Sequence, residues 1–221
     1  LCIKAYDAVR DGTEMDPSDT IEITLDKKIP LGSGLGGGSS NAASVINGMN
    51  EVFELGLSYE KKLDIAAKVG SDVPFFISGG AALARGRGEI LEPMPPFPAP
   101  LWIVIAKPDF SVSTGDAYKW IKNDATSKEI KSSEIISKTL SGDTQFLVDT
   151  MYNAFEQVVF EKHPYLAALK NKLKEAGCIK AQMTGSGSGI FGVCEDEQTA
   201  GKVVENLAAE QLQFLAACKT F

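Results

Sequence analysis

The chain has 221 residues, of which 44% are hydrophobic and 23% charged, with a formal net charge of −7. That length fills one large domain or two small ones, and the composition is that of an ordinary globular chain with no apolar run long enough to cross a bilayer and nothing that reads as a signal peptide. The acidic balance argues against nucleic-acid binding, since the lysine pairs and clusters (Lys27-Lys28, Lys61-Lys62, Lys170 to Lys174) include two that read as solvated helix faces. Four scattered cysteines and a single histidine, His163, leave no set for a Cys/His zinc site, a disulfide framework or a Ser-His-Asp hydrolase.

The chain opens on Leu1, Ala5, Ala8 and Val9 at helical spacing, with no capping residue ahead of them. The expectation is that it starts inside an amphipathic helix whose packing partner lies upstream. Asp16-Pro17-Ser18-Asp19 reads as a turn, and Ile21 to Leu25 alternates as a strand does. A glycine-rich stretch from Pro30 to Asn41 follows. Beyond it Ala42, Val45, Ile46, Met49 and Phe53 share one helical face, and Gly56 closes that helix. Ser58 is placed to cap a second helix with Leu63, Ala66 and Ala67 on its apolar face, ended by Gly70. Ser71 to Phe76 reads as a loop or short helical turn, Ala81 to Ala84 as a strand, and Arg85 to Glu89 as a glycine-broken turn. Pro93 to Pro100 holds five of the ten prolines and marks the domain boundary, giving domains at 1–96 and 97–221. In the second, Leu101 to Ala106 is a buried strand. Helices are expected near Asp149 to Glu161 and Pro164 to Ala176, with His163 at a helix boundary. Strands at Ala181 to Thr184 and Gly189 to Cys194 flank a second glycine loop, a helix spans Glu197 to Ala209, and the tail forms a last strand. The pattern is α+β.

Gly32, Ser33, Gly34, Leu35, Gly36, Gly37 and Gly38 lead directly into Ser39 and Ser40 at a helix start. Glycines let successive backbone N–H groups turn toward one anion, and a helix N-terminus adds free N–H groups and a positive dipole end. The two hydroxyls suit phosphate oxygens or a magnesium ion. A di- or triphosphate is the expected ligand. Gly32, Gly34 and Gly37 satisfy G-x-G-x-x-G, but the acidic residue that a dinucleotide fold places at the end of a following strand is missing, because the stretch around Glu54 is still helical. A Walker loop needs a lysine where Ser39 stands.

Pro30, Leu31 and the residues through Asn41 resemble the phosphate-binding motif of the GHMP kinases, a superfamily of small-molecule kinases. The triple glycine before Ser39-Ser40-Asn41 is most similar to that of the diphosphocytidyl-methylerythritol kinases. Gly70-Ser71-Asp72-Val73-Pro74-Phe75 resembles the G-x-D-V-P-F motif of the same group. Taken alone, an aspartate before a proline turn is most often a cap. The resemblance implies that Asp72 is catalytic, orienting the attacking hydroxyl and accepting its proton. It also implies a partner lysine near the N-terminus, which no residue here matches and which the expected upstream segment would carry. The segment Lys107 to Tyr118 resembles the substrate side, implying that Thr114 contacts substrate and Tyr118 stacks on cytosine; a cap at Thr114 and a core tyrosine are the structural alternatives. Thr184, Gly185, Ser186 and Gly187 resemble the third GHMP motif, for which a tight turn is the alternative, and Lys27 matches a position near the nucleotide.

The resemblance therefore implies a two-domain GHMP fold, with a ribosomal-S5-domain-2-like N-terminal domain and a ferredoxin-like C-terminal domain. The reaction implied is ATP-dependent phosphorylation, with Mg2+, of a cytidine diphosphate-linked alcohol. The protein is expected to be cytoplasmic, monomeric or homodimeric, without nucleic-acid or membrane partners. The alternatives are a GHMP kinase for another alcohol, such as homoserine or mevalonate, and a non-catalytic nucleotide-binding relative.

Overall fold

The computed structural model describes residues 1–220 apart from 17, 87, 95–99 and 122–131, and of Ser132 only the backbone. The chain divides into two compact units: Leu1–Lys28 with Gly36–Pro95, and Ile29–Leu35 with Pro96–Phe221. The proline-rich stretch read as the boundary falls largely on residues 95–99, outside those described.

Among the described residues, the first unit is built from four helices and a hairpin. Helix α1 (Cys2–Gly12) buries Ala5 and Val9, as its spacing requires, and leaves Leu1 half exposed. Helix α2 (Gly37–Val52) starts inside the glycine stretch rather than after it, and buries Ala42, Ala43, Ile46 and Met49. Helix α3 (Tyr59–Val69) is capped by Ser58, whose hydroxyl accepts from the Lys61 N–H. Its buried residues are Ile65, Ala66 and Val69. Ala67, expected on that face, points to solvent, because the helix lies on α1, α2 and the short helix α4 (Val73–Ser78) through a face rotated by about one residue. Pro74 sits in the first turn of α4, where its missing N–H costs nothing. The hairpin β1 (Ala81–Arg85) and β2 (Ile90–Met94) pairs antiparallel from Ala81 with Met94 to Arg85 with Ile90.

The strand expected at Ile21 to Leu25 is not formed. A strand exists through its ladder, and among the described residues nothing pairs with this segment; Ile23 and Leu25 are 40% and 50% exposed, while Ile21 packs partly against the helical core. The turn at Asp16 rests on that residue's carboxylate, which accepts from the Ser18 N–H at 2.8 Å and its hydroxyl at 2.6 Å. Pro17, part of the same reading, lies outside the described residues.

The second unit is an antiparallel sheet layered with helices. Strand β3 (Trp102–Pro108) is followed by helix α5 (Thr114–Trp120), α6 (Ser132–Leu140), α7 (Thr144–Thr150), α8 (Phe155–Lys162) and α9 (Pro164–Glu175). Strands β4 (Lys180–Met183) and β5 (Ile190–Cys194), helix α10 (Glu197–Leu207) and strand β6 (Leu212–Lys219) complete it, in the sheet order β4-β5-β3-β6. Val104 and Ala106 of β3 are buried in the core, while Ile103 and Ile105 on the alternate face are only partly covered. Leu166, Leu169 and Leu173 of α9 and Ala200, Val203 and Leu207 of α10 join Val104, Ala106, Ala181, Met183 and Ile190 in one core, each buried leucine contributing roughly 1.5–3 kcal/mol. The helix expected from Asp149 to Glu161 is broken: α7 ends at Thr150 and α8 begins at Phe155. Asn153 interrupts it, since its side chain donates to the Met183 and Gly185 carbonyls and accepts from the Phe155 N–H, an alternative to the helical ladder that Asn favours. His163 ends α8 and begins α9, and its ring stacks on Phe110 at 5.3 Å rather than capping.

Candidate active site

Ile29–Leu35, the first half of the glycine stretch, belongs to the second unit, and consecutive carbonyls there are tied down one after another. The Leu31 carbonyl accepts from the Ser111 hydroxyl at 3.2 Å, that of Gly32 from the Ser188 N–H at 3.1 Å, that of Ser33 from the Gly189 N–H at 3.1 Å, and that of Gly34 from the Thr184 hydroxyl at 2.9 Å. The stretch is thus fastened along the loop between β4 and β5. Gly32, Gly34 and Gly36 have φ of 61°, 75° and 66°, alternating with Ser33 and Leu35, which do not. Left-handed glycines at alternate positions make a backbone able to present N–H groups to an anion without side-chain obstruction. A side chain at Gly34 would run into the Thr184 carbonyl oxygen, so glycine is required there both by φ and by close approach.

In the first unit, Gly36 is left-handed and occupies the N-cap of α2. It has no side chain to offer, and none among the described residues caps α2; the first-turn amides of Gly37, Gly38 and Ser39 form the positive end of the helix dipole without a side-chain acceptor. A Cβ on Gly36 would lie 2.6 Å from the Phe76 ring of α4, so the glycine stretch and the Asp72 helix are fitted to each other. Lys27 donates to the side-chain amide oxygen Oδ1 of Asn41 at 2.7 Å, which brings together two residues predicted to lie near the nucleotide.

Asp72 precedes α4 with φ −89° and ψ −10°, a helical rather than a capping conformation, and its side chain makes no cap hydrogen bond. Its carboxylate is exposed, accepts from the neighbouring Ser71 hydroxyl at a long 3.5 Å, and has the β1–β2 turn alongside, where a Cβ on Gly88 would be 3.6 Å from Oδ1. The ordinary structural use of an aspartate at this place is therefore not made.

On the substrate side the capping residue of α5 is Ser113, which accepts from the Asp116 N–H. The Thr114 hydroxyl shares a 2.9 Å hydrogen bond with the Ser186 hydroxyl, joining two predicted residues that are 72 apart in sequence. Tyr118 is 63% exposed, not part of the core, and its ring stands perpendicular to that of Phe155 with centroids 5.0 Å apart. Ser111, Asn153 and Ser188 support this arrangement and were not singled out from sequence. Asn153 in a helix-like run was the one with a signal, being a poor interior helix residue.

Residues 1–80 match the family profile described as GHMP kinases N terminal domain, and residues 137–212 the one described as GHMP kinases C terminal. Fold and loops together define a GHMP kinase, a small-molecule phosphotransferase. Over 208 residues the chain is 38% identical to the 4-diphosphocytidyl-2-C-methyl-D-erythritol kinase of Alkaliphilus metalliredigens, covering 94% of this chain and 70% of that protein. It is 36% identical to the enzyme of that name from Gloeobacter violaceus, covering 100% of this chain and 74% of that one. A crystal structure of 4-(cytidine 5'-diphospho)-2C-methyl-D-erythritol kinase matches with a TM-score of 0.77 at 28% identity, over 98% of this chain and 76% of the other. L. major mevalonate kinase shares the fold, with a TM-score of 0.74 at 18% identity over 99% and 76% of the two chains. The chain belongs to the 4-diphosphocytidyl-2-C-methyl-D-erythritol kinase family. Among the described residues no helix is long and apolar enough to cross a membrane.

Proposed function

We propose that this chain transfers the γ-phosphoryl group of ATP to the 2-hydroxyl of 4-diphosphocytidyl-2-C-methyl-D-erythritol, giving the 2-phosphate and ADP. The observation that carries this reading is the seating of Leu31–Gly34, carbonyl by carbonyl, on the second glycine loop. A loop whose carbonyls are engaged one after another is held rigid, ready to present backbone amides to an anionic ligand, and phosphoryl transfer is achieved mainly by positioning and charge stabilisation. In this reading the residues from Gly32 to Ser40 hold the triphosphate, the amides of Gly37 to Ser39 and the hydroxyls of Ser39 and Ser40 among them, while the Ser40 N–H is spent on the Gly36 carbonyl at 2.9 Å; Pro30 and Asn41 bound the cradle and Lys27 lies near the nucleotide. Thr184 to Gly187 hold phosphates of the substrate or the transferring group. Asp72 orients the hydroxyl and takes its proton as the oxygen–phosphorus bond forms and the bond to ADP breaks.

ATP fits these residues because the cradle offers backbone donors and an uncapped helix terminus in place of cationic side chains. Mg2+ is the companion we propose. It keeps several waters and takes its remaining oxygens mostly from phosphate, with one or two protein ligands, a requirement that the hydroxyls of Ser39 or Ser40 meet.

Thr114 and Tyr118 are assigned to the cytidine substrate. Replacing Tyr118 by alanine is expected to raise KM for that substrate by about tenfold or more, the worth of one base stacked on an aromatic face, with kcat and the KM for ATP little changed; Tyr118→Phe should behave as the unmodified protein. Equal KM values for all three proteins would remove Tyr118 from the site. The whole reading is tested by a coupled ADP-release assay on the full-length protein with diphosphocytidyl-methylerythritol, homoserine, mevalonate and galactose. Turnover of the cytidine compound alone is the expected result. Turnover of another alcohol would overturn the substrate, and binding of ATP without turnover of any would overturn the kinase assignment.

A further inference from the structure

Lys107 is a charge in an unexpected place. It is the penultimate residue of β3, it is 0% exposed, and it is the largest fully buried side chain of the described residues. Its ammonium donates to the Pro108 carbonyl at 2.9 Å and to the Phe110 carbonyl at 3.0 Å, and none of the ion pairs among the described residues includes it. Burial draws its pKa below the ordinary lysine value, against the weaker opposing pull of the exposed Asp109. Burying an ammonium without a carboxylate is costly, and an apolar side chain of similar length fills such a site as well or better. Fold stability therefore does not account for a lysine here.

What the ammonium does hold is the turn after β3, and both glycine loops hang on that turn. The Phe110 carbonyl that accepts from Lys107 also accepts from the Ser188 hydroxyl, at 2.6 Å. Ser188 is itself 0% exposed, and its N–H donates to the Gly32 carbonyl at 3.1 Å. The next residue along, Ser111, donates to the Leu31 carbonyl. Two short paths thus lead from one buried ammonium to adjacent peptides of the proposed phosphate cradle.

We propose that Lys107 is a positioning residue for nucleotide binding: it fixes the turn at 108–111, which through Ser188 and Ser111 sets the peptide planes of Leu31 and Gly32. The ammonium suits this task better than a neutral donor, because one group with three N–H bonds draws two carbonyls inward together and places a fixed positive charge behind an anion site. This rests on the kinase reading, and the ligand probed is MgATP itself.

The test is Lys107→Met, measured by calorimetry for MgATP affinity and by thermal melting for stability. The expected result is a melting temperature unchanged or raised, together with about tenfold weaker MgATP binding, equivalent to about 1.4 kcal/mol, and a KM for ATP that rises more than kcat falls. Ser188→Ala cuts one of the two paths and should weaken MgATP to a similar or smaller extent, and the double variant should be no weaker than Lys107→Met alone, because the lysine stands at the head of both paths. Unchanged MgATP affinity in Lys107→Met, or losses that add in the double variant, would overturn the proposal. If Lys107→Met does not fold, Ser188→Ala decides: about tenfold weaker MgATP supports the path, and unchanged affinity overturns it. An unmodified protein that binds no MgATP would overturn the kinase reading, and this proposal with it.

Discussion

Asp72→Asn is expected to lower turnover by about 10²- to 10⁴-fold, the usual worth of a positioned proton acceptor, while leaving the melting temperature and MgATP affinity unchanged. The separation follows from the local structure. Asp72 stands at the head of α4 without capping it, its carboxylate is exposed, and among the described residues its side-chain hydrogen bond is a long contact from Ser71. An amide of the same shape keeps that geometry and removes only the ability to accept a proton from the substrate hydroxyl. The neighbours that fix the backbone are apolar and do not involve the carboxylate: Val73 and Pro74 are buried, and Phe76 lies against Gly36. Two outcomes would remove the catalytic role. Turnover within about threefold of the unmodified enzyme would show that no proton passes through Asp72. A loss of turnover matched by a loss of melting temperature would assign Asp72 to the fold.

Much of this was legible from the residues, for physical reasons that differ along the chain. The glycine stretch was readable because five glycines ahead of an amphipathic helix have few uses other than a backbone-lined turn, and the φ values of Gly32, Gly34 and Gly36 express that use. Strand β3 was readable because a short apolar run rich in β-branched residues, bounded by prolines, suits a strand better than a helix. Ser58 was readable because its hydroxyl has one geometrical task, the Lys61 N–H. What the residues did not disclose were features that depend on partners remote in sequence. The alternation at Ile21 to Leu25 specifies a two-faced surface but not a neighbour to pair with. The break at Asn153 is decided by the carbonyls of Met183 and Gly185, about thirty positions away. The allegiance of Ile29–Leu35 to the second unit depends on Ser111, Thr184, Ser188 and Gly189, none adjacent to it in the chain. Lys107 shows the same thing most plainly: within its own strand it reads as the charged end of an apolar run, and only the folded turn reveals it as buried.

Gly34→Ala carries the second large expected effect, a loss of MgATP affinity of about 30- to 100-fold. The methyl group meets two independent obstacles. At φ 75° an L-residue costs about 1–2 kcal/mol relative to glycine, and the Cβ would overlap the Thr184 carbonyl oxygen. Relief requires the first loop to lift away from the second, which breaks the 2.9 Å hydrogen bond from the Thr184 hydroxyl to the Gly34 carbonyl, worth about 1 kcal/mol. The total, about 2–3 kcal/mol, falls on the seating of the loop and so on the ligand it holds. Gly201→Ala supplies the contrast: it sits in α10 with nothing within 4 Å of its would-be Cβ. Alanine there should stabilise the protein by about 0.5–1 kcal/mol and leave MgATP binding untouched. The pair separates a built cradle from a flexible glycine linker, because a linker accepts a methyl group at Gly34 as readily as the helix does at Gly201. If calorimetry finds both variants binding MgATP as the unmodified protein does, the seating of Leu31–Gly34 on the second glycine loop is not what holds the nucleotide.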